Sequence, residues 1–193
     1  MTEPNTQICT PASTLEFLEE IGKLKHLKRT GWVLRKVNDP ETVSGHMYRM
    51  ATMTFLIDDA SELDKNKCMQ MALIHDMAEC IVGDLTPYCG VSPSEKHQRE
   101  DDAMTLLSRL VPQPQGQNML NLFKEYENQI SKEAKFVKEL DRLDMILQAF
   151  EYEKMHKSPK KYEEFFDSTL DKITHPLLVP IKEELLLQRS KFQ

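Results

Sequence analysis

The chain has 193 residues, 40% hydrophobic and 29% charged, with six glycines, ten prolines and a formal net charge of -6. That is long enough for one buried core and excludes collagen-like and low-complexity classes. The acidic balance argues against nucleic acid as a partner, since a phosphate backbone calls for a basic face. It leaves room for a small phosphorylated ligand wherever a cation supplies local positive charge.

Residues 1–12 are polar, carry two prolines and read as a flexible N-terminal tail, with 13–193 forming one domain. A helix is predicted from Ser13 or Thr14, with Leu15, Leu18, Ile21 and Leu24 on one face. It stops near Gly31, and Thr30 to Arg35 reads as a loop. Asp39, Pro40 and Glu41 read as the cap and first turn of a second helix. Its inner face is Val43, Met47, Met50, Ala51 and Phe55, with His46 at the edge. From Asp64, the residues Cys68, Met71, Ala72, His75 and Glu79 fall on one helical stripe that Gly83 and Pro87 terminate.

A further helix runs from Ser94 towards Leu110, and Val111 to Gln117 forms a linker loop. Met119 to Tyr126 is amphipathic. From Ser131 the apolar residues cover nearly the whole circumference, as in the middle of a bundle, and Asp141 is set among them. Pro159 or Lys160 opens a short helix, and Pro176 opens a last one through Leu187. There is no sustained period-2 alternation and no internal repeat, so an all-α bundle follows.

The four cysteines include no Cys-x-x-Cys pair and read as reduced thiols. The N-terminus lacks a basic patch followed by an apolar run, and no stretch approaches the ~18 apolar residues of a membrane span. The expectation is an intracellular protein, cytoplasmic or nuclear, with no membrane partner.

Three separated helices each carry an ionisable residue on or beside an apolar face: His46, the pair His75-Asp76, and Asp141. Alone, such a histidine is more often a core residue bonded to a carbonyl, and Asp141 more often a salt-bridge partner of Lys138 or Arg142. Together they are harder to dismiss, because burying several polar groups costs several kcal/mol each unless something neutralises them. A divalent cation would do so, and two imidazoles with two carboxylates suit Mn, Fe, Co, Ni or Zn. Glu79 lies four residues after His75, and Asp84 follows Gly83 in a turn that can fold back. The plain alternative for both is a solvated helix end.

The order His46, His75-Asp76, Asp141 resembles the HD-domain superfamily of phosphohydrolases, and the surrounding residues resemble its 5'-deoxynucleotidase branch. The matching pieces are Lys28-Arg29-Thr30-Gly31-Trp32-Val33, Val43-Ser44 with His46 to Met50, His75 to Asp84, Glu95-Lys96-His97, Ala134 to Lys138, and Asp167-Ser168-Thr169. The resemblance implies a principal cation (Mn, Co or Mg) on His46, His75, Asp76 and Asp141. It implies catalytic roles for Glu79 and Asp84, with a possible second cation there and on the Leu85 carbonyl. It also implies a deoxyribonucleoside 5'-monophosphate substrate touched by Trp32, and a homodimer; Arg29, two residues before Gly31, is the candidate to reach the phosphate in place of the relatives' arginine. Two positions depart from the pattern. Gly45 stands where the family carries an acidic residue, and Gly31 where bacterial relatives carry an arginine. Rival readings are action on a cyclic nucleotide, an alarmone or a triphosphate, and a non-enzymatic helical module with a vestigial metal site.

Overall fold

The computed structural model describes residues 9–58 and 60–192. Most of the proposed tail, residues 1–8, lies outside the described residues. Ten α-helices account for most of the rest: α1 (Pro11–Gly22), α2 (Thr30–Leu34), α3 (Val43–Met53), α4 (Lys65–Ile74), α5 (Glu79–Val82), α6 (Pro93–Leu110), α7 (Gln115–Glu127), α8 (Lys132–Met155), α9 (Glu163–Asp167) and α10 (Val179–Lys191). Among the described residues the β-structure is an isolated antiparallel bridge, Lys28 to Thr42. The fold is all-α, and no described helix is long and apolar enough to cross a membrane.

The chain divides into two compact units. The first contains the residues up to Tyr48 and Leu73–Asn128; the second contains Arg49–Ala72 and the chain from Gln129 onward. The divisions fall within α3 and within α4.

In the first unit, Leu24, Val43, Met47, Ile74, Ala78, Met104, Leu107 and Phe123 form a continuous apolar core. α1 starts at Pro11 because Thr10 and Ser13 satisfy each other's backbone N–H groups as a capping box. Its buried side runs through Phe17, which packs on the core, while Leu15 and Leu18 are exposed. α6 begins behind Ser92, whose hydroxyl accepts from Glu95 N at 3.2 Å. α6 and α7 pack together at Gly116, where a Cβ would lie 2.0 Å from the Ser108 carbonyl oxygen. The glycine in the linker is thus a close-approach residue, and α7 already begins at Gln115.

In the second unit, α8 is buried nearly all round, as its composition predicts: Phe136, Val137, Leu140, Leu143, Ile146 and Ala149 have almost no exposure. Ser131 caps it, accepting from Ala134 N at 3.1 Å. The buried carboxylates of this unit are paired. Glu153 accepts from Arg189 Nε at 2.8 Å and from another nitrogen of that guanidinium at 2.9 Å, and Arg189 lies 3.6 Å over the Phe166 ring. Asp144 is held by Arg49, which also reaches Glu151 at 2.9 Å.

Four local expectations need correction. Thr30 to Leu34 is a helix, not a loop. Asp39 does not cap the second helix. It sits in left-handed backbone at φ 44°, bonded to Lys28 at 2.7 Å, and at the N-terminus Gly45 N donates to Thr42 Oγ1 at 3.1 Å. Phe55 is exposed because α3 tightens into a 3-10 turn at Thr54–Leu56, which rotates it off the inner face. The stripe from Cys68 to Glu79 is not one helix. α4 ends at Ile74, and the turns before Glu79 are closed by shorter bonds such as Met77 N to Ile74 O at 2.9 Å.

Candidate active site

Local backbone first brings the parts together. The bridge between Lys28 and Thr42 pairs Arg29 N with Glu41 O at 3.1 Å and Val43 N with Leu27 O at 2.9 Å. This fixes Arg29 and Glu41 beside the start of α3, the helix that carries His46. The break after Ile74 then turns His75 and Asp76 out of the α4 repeat.

His46 and His75 are both buried, their ring centroids 5.3 Å apart and their planes at 70°. Asp76 Oδ2 lies 3.2 Å from His75 Nε2 and 3.7 Å from His46 Nε2. Arg29 donates to that same oxygen at 3.1 Å. Burial opposes ionisation of Asp76, but His75, then Arg29 and His46, outweigh it and hold the carboxyl well below the usual range. Tyr126 meets His75 edge-on at 5.2 Å. The first unit therefore gathers two imidazoles and one carboxylate into a nitrogen and oxygen donor set of the kind divalent transition ions take.

Glu79 stands next to this cluster and is 3% exposed. Its side chain accepts no hydrogen bond among the described residues, and Oε2 is fully enclosed. A buried carboxyl in that state costs free energy unless it stays protonated or meets a cation or ligand. Burial pushes its pKa well above the usual range, and the carboxylates of Asp76 and Asp84 push in the same direction. Asp84 follows Gly83, whose φ of 77° permits the sharp exit from α5. Asp84 Oδ2 accepts from Thr30 N at 2.7 Å, and its carbonyl accepts from the Thr30 hydroxyl at 2.8 Å. The carboxylate is thereby pinned to the first residue of α2.

Asp141 belongs to the second unit, on α8, where Lys138 donates to its Oδ2 at 3.2 Å. Arg142, the other suggested partner, reaches the Lys172 carbonyl instead. Trp32 is 2% exposed and donates its indole N–H to Glu41 Oε1 at 2.9 Å. The predicted residues His46, His75, Asp76, Glu79, Asp84 and Arg29 thus meet within the first unit. Sequence reasoning passed over Thr30, Glu41, Tyr126 and Lys96. A repeat of charge at i and i+4, Lys96 to Glu100, was the legible hint for the last.

Each unit holds a cavity. One of about 270 Å³ in the first unit is lined by Leu85, Thr86, Pro87, Val91, Pro93 and Lys96. A larger one of about 690 Å³, in the second unit against Phe136 and His175, contains none of the predicted site residues. Its carboxylate Glu139 already accepts from Thr174 N and His175 N.

The all-helical fold with this cluster can be set beside known proteins. The family model for the HD domain matches residues 21–178, and the chain belongs to that family. The chain is 49% identical to 5'-deoxynucleotidase HDDC2 of Homo sapiens, covering 92% of this chain and 87% of that one. It is 40% identical to 5'-deoxynucleotidase hdd1 of Schizosaccharomyces pombe, over 93% and 92%. Among solved structures it resembles a conserved hypothetical protein from Pyrococcus furiosus, with TM-score 0.74 and 31% identity, over 89% and 98%. It also resembles a predicted metal-dependent phosphohydrolase from Magnetospirillum magnetotacticum, with TM-score 0.69 and 28% identity, over 93% and 95%.

Proposed function

We propose that this protein is a divalent-cation-dependent 5'-deoxynucleotidase, hydrolysing deoxyribonucleoside 5'-monophosphates to deoxyribonucleosides and phosphate. The observation that carries the reading is the buried, unbonded carboxyl of Glu79 beside the cluster of His46, His75 and Asp76. A structural core would pair such a group; a hydrolytic site leaves it open for substrate, water or cation. Relatives at 40–49% identity that bear the name 5'-deoxynucleotidase support the choice of substrate.

His46, His75 and Asp76 would hold the cation, with Asp141 the fourth ligand that the family resemblance calls for; Mn, Co and Mg are the candidates. When bound, the cation offsets charge on the phosphate and eases deprotonation of water near neutral pH. Arg29 fixes the Asp76 carboxylate and faces the phosphate. Glu79 and Asp84 share two tasks, orienting the attacking water and passing a proton to the departing 5'-oxygen. Together with the Leu85 carbonyl they would also hold a second cation. Asp84 suits a positional task because Thr30 fixes it at two points. Trp32, locked by Glu41, is a rigid wall that discriminates deoxyribose from ribose. The protein acts inside the cell, cytoplasmic or nuclear, as a homodimer, with neither nucleic acid nor membrane as a partner.

The decisive variant is Asp76→Ala. Elemental analysis should show loss of bound metal, and phosphate release from dAMP should fall at least a thousandfold. Full activity of that variant overturns the assignment. Running wild type against mono-, di-, tri- and cyclic nucleotides, with Co, Mn and Mg in turn, separates this reading from other HD-type activities. The same panel on Trp32→Ala reads sugar choice; an unmoved dAMP to AMP ratio removes Trp32 from that role.

A further inference from the structure

In the first unit the carboxylates of Asp76 and Asp84 both repel the charged form of buried Glu79. A phosphate monoester is itself an anion and is repelled by these carboxylates. It needs cationic side chains as well as a metal. Two act electrically on Glu79 in the attractive sense: Arg29 and Lys96. Arg29 is engaged by Asp76 at 3.1 Å.

Lys96 is differently placed. It lies in α6, and its Nζ donates to Glu100 Oε1 at 2.6 Å. Glu100 is 7% exposed and serves as a fixed anchor. An ammonium has three donors, and Glu100 takes one. No other hydrogen bond to Lys96 Nζ exists among the described residues. The side chain retains 38% of its exposure, and it is the charged member of the wall of the 270 Å³ cavity. That wall begins at Leu85, the peptide neighbour of Asp84. An i,i+4 pair made only to steady a helix would face bulk water; this one has a buried acid on one side and a cavity on the other. Burial disfavours the charge on Lys96, but Glu100, then Glu79 and Asp76, more than compensate, so the ammonium stays charged at neutral pH.

We propose that Lys96 is a phosphate-binding cation of this site, held in position by Glu100, with the cavity behind Leu85 admitting the nucleotide. The proposal rests on the phosphomonoester reading above and adds a substrate contact to it. The test titrates inorganic phosphate into the metal-loaded protein by calorimetry, with steady-state dAMP hydrolysis in parallel. Lys96→Met should weaken phosphate binding and raise the KM for dAMP, each by about tenfold, the loss expected for a charged hydrogen bond. Lys96→Arg should stay within about threefold of wild type, because it restores the charge. Lys96→Gln keeps a donor for Glu100 without the charge; it should behave as the Met variant does and replaces it if that fails to fold. Unchanged phosphate affinity in a folded Met or Gln variant overturns the proposal. A wild type that binds phosphate through Lys96 but releases none from dAMP sinks the deoxynucleotidase reading and leaves the Lys96 assignment standing.

Discussion

The two units bury charge in opposite ways. In the second, Glu153 is enclosed and accepts two hydrogen bonds from Arg189 and one from Tyr162 N, while Asp144 is matched by Arg49. In the first, Glu79 is equally enclosed and accepts no hydrogen bond among the described residues, and burial with Asp76 and Asp84 outweighs the attraction of Arg29 and Lys96. Burying a charge is tolerable when a partner of opposite sign replaces the lost water. The second unit follows that rule and the first suspends it at one residue. Such an exception marks the place where something other than the chain is to be bound.

The sharpest way to break this contrast is to remove the unbonded carboxyl from the first unit. Glu79→Gln keeps the shape and removes the charge. The expected loss in kcat for dAMP is about a hundred- to ten-thousandfold, the range for a proton-transferring or water-orienting group. The melting temperature should stay level or rise, since an unmatched buried carboxyl has been removed. A large fall in stability with activity intact would make Glu79 a structural residue. The converse experiment is Arg189→Ala, which strands Glu153 in the second unit. A destabilisation of about 3–5 kcal/mol is expected from removing one partner of a buried pair. Activity per folded molecule should persist, as read by denaturant unfolding alongside a dAMP assay. A variant as stable as wild type would show that the pair contributes nothing.

The same contrast explains what the sequence made legible. Caps and periodicity located the long helices: Ser131 opens α8, and the apolar circumference of that helix predicts its burial. His46, His75, Asp76 and Glu79 are conspicuous in the sequence as ionisable residues on or beside apolar faces, whereas Asp84 stands in a turn and draws notice through the family resemblance. Their arrangement was less conspicuous. The segment after Ile74 carries neither glycine nor proline, and its apolar stripe continues at helical spacing, so nothing local announces the break. His75 then meets His46 across the first unit, with one oxygen of Asp76 near both rings. Gly31 misled in the other direction: a glycine in a five-residue helix reads as a loop, yet α2 is held at its start by Asp84, fifty-four residues away. Arg189 lay beyond the predicted end of the last helix, and its partners are distant in the chain.

The smallest expected effect also divides the units, and it concerns thiols. Cys89 is exposed, and its hydrogen bond to Thr86 lowers its pKa; Ser13 and Thr14 lower that of Cys9. Cys80 in the first unit is buried, and burial followed by Glu20 pushes it up to about 11. Cys68 in the second unit is pushed up to about 12 by burial, then Glu133 and Asp64. An acid whose folded pKa is raised loses its proton first in the unfolded chain, so both groups cost stability as pH climbs above the ordinary 9.0. Only the thiolate reacts with an alkylating agent. At pH 8 the native protein should therefore label at Cys89 and Cys9 first, then at Cys80. Cys68 should follow roughly tenfold more slowly than Cys80, in line with one unit of pKa. Peptide mass spectrometry after timed iodoacetamide treatment reads the order. Equal rates at Cys68 and Cys80 would show that local opening, rather than the charge around each sulfur, governs access to the two interiors.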